Sequence, residues 1–375
     1  MIYFWRGLSM VNINIFIGPK KAFEEYIPSG DFLLLNDLVK IADGKIHRYY
    51  DHYDFLVGYS ENYSGISESA IQNFDVLLKT VEFDEIYLQN PPENIKRLIK
   101  NSYDNITFKV YEYPKLTSKK FLKINNEFDE RIIGQDHVKD ELLTSLYDLL
   151  KGYNDNKPIC LLFYGPSGVG KTETAKFLSE IIGEELFRKQ FSMFQNNKFS
   201  EYLFGGAHMQ ASFSRDLLER ESNIILLDEF DKAANVFHDA FYQLFDEGVF
   251  EDSNYKVSLK NSIIICTSNY LNDKDIRKNI GDPLFFRFDK IIEFKKLSKK
   301  AIDKILVKKV NEKYELLTDE DKDLIDKEKI INFFREYSKW LVNTRQISKL
   351  VDEKINLILV EHYLNETSEN NGYDE

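Results

Sequence analysis

The run Gly165-Pro-Ser-Gly-Val-Gly170-Lys171-Thr172 constrains this chain more than any other feature. It follows the apolar stretch Pro158–Tyr164 and opens Glu173–Ile182, which reads as a helix. A glycine-rich turn in that context, closed by Lys and Thr, is a P-loop. The chemistry explains the residue types. Glycines let backbone N–H groups curl around a phosphate without Cβ clashes. The helix start adds partial positive charge. Lys171 is expected to bridge β- and γ-phosphates, and the Thr172 hydroxyl to bind Mg²⁺. Gly165, Pro166, Ser167, Gly168, Val169, Gly170, Lys171 and Thr172 are therefore read as the cradle of ATP–Mg²⁺. A bland glycine turn is the alternative reading.

Ile224-Ile-Leu-Leu-Asp228-Glu229 supplies a second half. A strand buried on both faces would deliver Asp228 to its carboxyl end, beside the loop, where it can hold the metal shell. Glu229 is then placed to orient and deprotonate an attacking water. An Asp-Glu pair after an apolar run is weak evidence alone and strong evidence downstream of a P-loop.

The chain has 375 residues, 43% of them apolar, which is enough for two or three domains with real cores. Its net charge of −12 argues against a broad nucleic-acid or anionic-membrane surface. No apolar run is long enough to span a bilayer. Met1–Ile17 is interrupted by Arg6, Asn12 and Asn14 and reads as a first strand rather than a signal peptide. Cys160 and Cys266 sit in apolar runs without metal spacing and read as inert buried thiols. A cytoplasmic protein is expected.

Three regions differ in texture. Residues 1–118 read as a small α/β domain, with strands at Val11–Ile17, Phe32–Leu35, Phe55–Gly58, Glu85–Leu88 and Ile106–Tyr111. Helices are expected at Glu68–Val81 and Pro92–Lys100. His47 and His52 read as part of an ordinary loop rather than as metal ligands, because no partner cluster is visible. Leu116–Lys123 is a Lys-rich connector. Residues 119–297 alternate strand and helix in the manner of a parallel sheet, with near-continuous apolar strands at Pro158–Tyr164, Asn223–Leu227 and Ser262–Thr267. Residues 298–375 read as helical, with a polar tail from Asn365.

From about Phe128 onward the sequence resembles the Clp-type AAA+ ATPases, machines that remodel and unfold proteins. The resemblance rests on several ordered motifs over roughly the last two-thirds of the chain. Ile132-Ile133-Gly134-Gln135 is similar to the segment that packs on adenine, which implies a nucleotide role for Ile133 and Gly134. Leu227-Asp-Glu-Phe-Asp-Lys232 resembles the extended Walker B stretch. Asn269, closing Thr267-Ser-Asn269, matches the polar sensor that helps position water. Phe285-Phe-Arg287-Phe-Asp289 resembles the arginine-finger segment, so the resemblance implies that Arg287 reaches a neighbouring subunit's nucleotide. Asn343-Thr-Arg345-Gln-Ile347 resembles the second sensor of the lid, which implies that Arg345 acts in cis. Guanidinium groups suit a phosphoryl transition state whose charge spreads over three oxygens. The plainer alternatives are a surface pair between Arg287 and Asp289, and a solvated helix position for Arg345.

The departures bear on the task performed. The segment Glu201-Tyr-Leu-Phe-Gly205-Gly206-Ala-His208-Met209-Gln-Ala stands where the family carries a pore loop, but the aromatic-hydrophobic-Gly signature is missing or displaced. Tyr202, Phe204, His208 and Met209 are candidates to line a pore, with Tyr202 and Phe204 equally readable as core. No loop for docking a peptidase is recognisable, since Ile280-Gly281 is followed by Asp282. The resemblance implies a homo-oligomeric ring, most simply a hexamer, that remodels client proteins, with residues 1–118 recognising a client or effector. A nucleotide-controlled switch or scaffold is the second reading, and nucleic-acid work is disfavoured.

Overall fold

The computed structural model describes residues 11–47, 50, 52–183, 185–193, 198–206, 211–233, 235–337 and 340–370. The expected strand at Met1–Ile17 is therefore seen only from Asn12, and residues 1–10 lie outside the described residues.

The N-terminal region forms a parallel sheet of five strands: β1 (Asn12–Ile17), β2 (Phe32–Leu34), β3 (His52–Gly58), β4 (Glu82–Gln89) and β5 (Ile106–Val110). Their order is β2-β3-β4-β1-β5, and every pairing is parallel. Ile13, Ile15, Leu56 and Leu88 are fully buried in this sheet, which is why apolar runs mark it in the sequence. The expected helix Glu68–Val81 is two short helices, Glu68–Gln72 and Phe74–Leu78. Asn73 breaks it by donating from its side-chain amide to the Ser69 carbonyl at 2.8 Å, a local bond that competes with helix continuation. Leu35–Ala42 is a helix rather than the end of a strand. His52 begins β3 instead of lying in a loop, and its Nε2 meets Asp84 of β4 at 3.0 Å. The Lys-rich connector ends early. A helix over Ser118–Arg131 takes in Lys119, Lys120 and Lys123, capped by Thr117.

The second sheet contains β6 (Ile159–Tyr164), β7 (Phe187–Gln190), β8 (Ile224–Asp228), β11 (Ile263–Thr267) and β12 (Lys290–Glu293), after the short hairpin β9 (Val249–Glu251) and β10 (Lys256–Ser258) is set apart. The order is β12-β6-β11-β8-β7, again wholly parallel. The two-residue period of a strand divides its side chains between two cores. Leu161, Phe163, Leu226 and Ile265 face one, and Cys160, Leu162, Leu227 and Cys266 face the other. Burial pushes both thiols well above their ordinary range, as inert core residues require.

The lid comprises the helices Lys299–Glu315, Asp319–Leu324, Lys327–Glu336 and Thr344–Asn370. Ile305, Leu306, Val310, Ile347, Val351 and Ile355 continue the first of the two cores, so the lid is packed onto the sheet domain. Among the described residues, no helix is long and apolar enough to cross a membrane.

Candidate functional site

The strands β6, β8 and β11 all end at the same edge of their sheet, and the P-loop wraps over that edge. Its first glycine is dictated by close approach. Gly165 has φ +128°, and a Cβ there would lie 2.1 Å from the Phe294 carbonyl oxygen. The turn feeds the helix Lys171–Ile182. Between the sheet edge and the lid lies a cleft of about 700 Å³.

Lys171 is buried at its floor. Its ammonium donates to the Gly165 carbonyl at 2.5 Å, the Pro166 carbonyl at 2.8 Å and Asn269 Oδ1 at 3.1 Å. Burial is the largest influence on it and lowers its pKa to about 8, with the Arg345 charge pushing the same way against the nearby carboxylates. Thr172 Oγ1 lies 3.5 Å from both carboxylate oxygens of Asp228. Thr267 Oγ1 donates to Asp228 Oδ1 at 2.5 Å and accepts from the Glu229 amide at 2.9 Å. Glu229 holds a left-handed backbone, φ +55° and ψ +42°, uncommon for a side chain of its size. Such strain persists where surroundings over-determine it, and the Thr267 bond is one such constraint. Gln190 Nε2 donates to Glu229 Oε2 at 3.2 Å.

The other predicted residues divide. Ser167, Gly168, Val169, Gly170, Ile133, Asn269 and Arg345 line the cleft. Thr344 donates from its backbone to the Gly168 carbonyl at 3.0 Å, so the lid helix that carries Arg345 is bonded to the phosphate loop. Gly165 and Pro166 contribute carbonyls to Lys171 rather than walls. Gly134 packs against Ala301 at the start of the lid, where a Cβ would lie 2.6 Å from that side chain. Its neighbour Gln135 is fully buried and joins the Val169 carbonyl, at 3.2 Å, to both backbone groups of Lys295. Arg287 is not in the cleft. It donates from Nε to Asp246 at 2.8 Å and lies over the Tyr242 ring at 4.5 Å. Its expected alternative partner, Asp289, instead accepts from the Cys160 amide at 2.7 Å.

Sequence reasoning missed Arg188, Gln190 and the bonding role of Thr267. Arg188, on the edge strand β7, donates to Asp228 from Nε at 3.1 Å and Nη2 at 2.5 Å. A cationic group thus already sits against the carboxylate proposed to hold Mg²⁺. The Asp228 carboxylate and the Thr172 hydroxyl beside it are an oxygen set that suits a hard divalent cation, which would have to displace Arg188. Of the pore-loop candidates, Tyr202 is half-buried, with its hydroxyl donating to Asp216 at 2.6 Å and its ring 6.1 Å from Phe213. Phe204 is 43% exposed. His208 and Met209 lie outside the described residues.

The sequence profile of the family "AAA domain (Cdc48 subfamily)" matches residues 156–330. Chaperone protein ClpB of Clostridium perfringens is 32% identical over 219 residues, covering 50% of this chain and 25% of its own length. Chaperone protein ClpB of Malacoplasma penetrans is 26% identical over 345 residues, covering 83% and 46%. The ATP-dependent Clp protease ATP-binding subunit ClpL of Staphylococcus aureus is 29% identical over 277 residues, covering 65% and 38%. The chain thus spans between a quarter and just under half of these relatives' lengths. A closed-state reconstruction of Hsp104 with ATPγS and FITC casein shares the fold, with a TM-score of 0.57 at 16% identity over 96% of this chain and 90% of that one. Residues 156–330 are a AAA domain of the Cdc48 subfamily, homologous to the Clp-type ATPases ClpB and ClpL.

Proposed function

We propose that this chain binds ATP with Mg²⁺, hydrolyses it, and uses the cycle within a ring-shaped homo-oligomer to remodel client proteins. One observation carries the catalytic part: Lys171, Thr172, Asp228, Glu229, Asn269 and Arg345 converge on one cleft between sheet and lid. In this reading Lys171 and the loop amides hold the phosphates, and Thr172 and Asp228 hold the metal shell. Mg²⁺ supplies charge neutralisation at the phosphate oxygens. Glu229 takes the proton of the attacking water, and Asn269, already bonded to Lys171, orients that water. Arg345 senses the phosphates from the lid and, through the Thr344–Gly168 bond, ties lid position to loop occupancy. Arg287, which stands outside its own cleft, is assigned to act in trans; that position is compatible with the role.

The test is a pair of variants. Lys171→Ala is expected to abolish ATP binding. Glu229→Gln is expected to retain binding and lose turnover by at least about 100-fold. Normal steady-state ATPase in Glu229→Gln protein would overturn the assignment. The client role draws support from the names of the relatives, two of which are chaperones. A switch or scaffold without threading remains the second reading. It is favoured by Tyr202, whose hydroxyl and ring are tied into the domain rather than left free for a polypeptide.

A further inference from the structure

The two sheets of this chain have the same plan. Read from one side, the first is β5-β1-β4-β3-β2 and the second β12-β6-β11-β8-β7. Each is wholly parallel, with its fifth, first, fourth, third and second strands in that order once the hairpin is set apart. The likeness extends to single bonds. Tyr111 N donates to the Ile17 carbonyl at 2.8 Å, and Phe294 N donates to the Tyr164 carbonyl at 2.7 Å. Asn90 N donates to the Phe16 carbonyl at 2.8 Å, and Ser268 N donates to the Phe163 carbonyl at 2.9 Å. These bonds superpose Ile17-Gly18-Pro19 on Tyr164-Gly165-Pro166. Gly18 and Gly165 share a reason to be glycine: φ is +154° and +128°, and a Cβ would lie 2.4 Å from Tyr111 or 2.1 Å from Phe294.

The active features are then missing one by one. After Pro166 the second sheet inserts Ser167-Gly-Val-Gly170 before its helix, whereas after Pro19 the first sheet starts its helix at Lys20. Leu88 pairs with Ile15 and Gly58, as Cys266 pairs with Leu162 and Leu227. The positions equivalent to Asp228 and Glu229 are therefore Tyr59 and Ser60. The first sheet has neither the loop that wraps a phosphate nor the carboxylates that hold a metal and a water.

The same edge of that sheet holds a different anion. The Glu219 carboxylate, from the AAA domain, accepts from Lys20 N at 3.2 Å, Gln89 Nε2 at 2.9 Å and Asn90 Nδ2 at 2.9 Å. Gln89 and Asn90 are fully buried, and both also donate to the Gly18 carbonyl, so the socket is fixed from within. Beside it Arg220 lies 4.2 Å from the Tyr113 ring, and the Tyr113 hydroxyl donates to the Arg220 carbonyl. We propose that the N-terminal domain is a nucleotide-blind second copy of the P-loop sheet whose former phosphate edge serves as a docking socket for the Glu219 carboxylate. Glu219 closes the helix Phe213–Leu218, which leads into the Asp228 strand β8. The socket therefore holds the N-terminal domain against the segment that feeds the metal-binding carboxylate.

The test uses the full chain and needs no hydrolysis; its nucleotide arm rests on the proposed ATP binding, and its socket arm, read by hydrogen exchange, stands apart from that reading. Equilibrium binding of Mg²⁺–ATP is expected to give one nucleotide per chain, and none in Lys171→Ala protein. Two per chain, or residual binding in Lys171→Ala, would overturn the nucleotide-blind assignment. Hydrogen exchange at Gly18, Lys20, Gln89 and Asn90 is expected to accelerate about tenfold or more in Glu219→Lys protein that still binds one nucleotide. Should Glu219→Lys fail to fold, Glu219→Ala gives the same readout with no charge introduced. Unchanged exchange in the folded variant would overturn the socket.

Discussion

The ammonium of Lys171 donates to Asn269 Oδ1 at 3.1 Å, so the phosphate loop and the end of β11 share one hydrogen bond across the floor of the cleft. The same ammonium is shared with two loop carbonyls and is buried. This geometry couples the charge of Lys171 to what occupies the cleft.

A protonation linkage follows. The free protein holds Lys171 near pKa 8, because burial disfavours its charge. Nucleotide phosphates favour the charged form, so binding raises that pKa. At pH 8.5 to 9 the free lysine is part neutral and the bound one charged, so nucleotide binding takes up protons and weakens as pH rises. Below about pH 7 the lysine is charged in both states and the linkage vanishes. Calorimetry of ADP binding in buffers of differing ionisation heat measures this. Zero proton uptake at pH 8.5 would contradict it. Lys171→Arg should remove the effect, because a guanidinium stays charged.

The parts of this site that were legible in the sequence lie on contiguous motifs. Gly165 through Thr172 and the Asp228-Glu229 pair are local runs whose spacing already implies a shared edge, and they line or floor the cleft. Arg188 and Gln190 were not legible, because they reach Asp228 and Glu229 only through the pairing of β7 with β8. Strand adjacency is a long-range property that no window of sequence reports. The twin plan of the N-terminal sheet was hidden for the same reason. Apolar alternation located its strands, but their order is set by crossovers, and Gly18-Pro19 without the rest of the loop carries no motif.

If Asp228 holds Mg²⁺ as proposed, Arg188 would compete for it, since both its Nε and Nη2 donate to Asp228 Oδ2. Replacing it with Ala frees that carboxylate. The expected outcome is a half-saturating Mg²⁺ concentration several-fold lower than in the parent protein, read from ATPase titrations at fixed ATP. An unchanged or higher Mg²⁺ requirement would show that Arg188 assists the metal instead.

Arg287 is tethered to Asp246 and stacked on Tyr242, away from its own cleft. If it serves a neighbour, Arg287→Ala should lower turnover about 1,000-fold while leaving nucleotide affinity within about threefold, in line with arginine fingers. Mixing it with Glu229→Gln subunits should restore part of the activity, because each supplies what the other lacks. A protein that stays monomeric with ATP and hydrolyses at full rate would exclude the trans role.

Tyr202 and Phe204 separate packing from client contact. Tyr202 donates to Asp216 at 2.6 Å and lies between the Phe213 ring and the Lys189 ammonium, so it belongs to the domain interior. Phe204, two residues on, is 43% exposed and precedes Gly205, whose φ of +80° turns the chain. Tyr202→Phe removes one hydrogen bond and leaves the Asp216 carboxylate its ion pair with Lys189, at a cost of about 1–2 kcal/mol in stability. Phe204→Ala removes an exposed ring and should change stability by less than about 0.5 kcal/mol. Client handling should follow the opposite pattern. An aromatic covers a passing polypeptide at about 1–3 kcal/mol when fully buried by it. Phe204→Ala, like substitution of His208 or Met209, should therefore weaken client binding or remodelling with basal ATPase intact. Tyr202→Phe should leave client handling unchanged. Because one exposed ring beside a turn grips less than a full aromatic signature, the parent protein is expected to unfold a stable tagged domain weakly or not at all. Robust ATP-driven unfolding would move the chain into the threading class, and loss of ATPase in Phe204→Ala would make this segment structural.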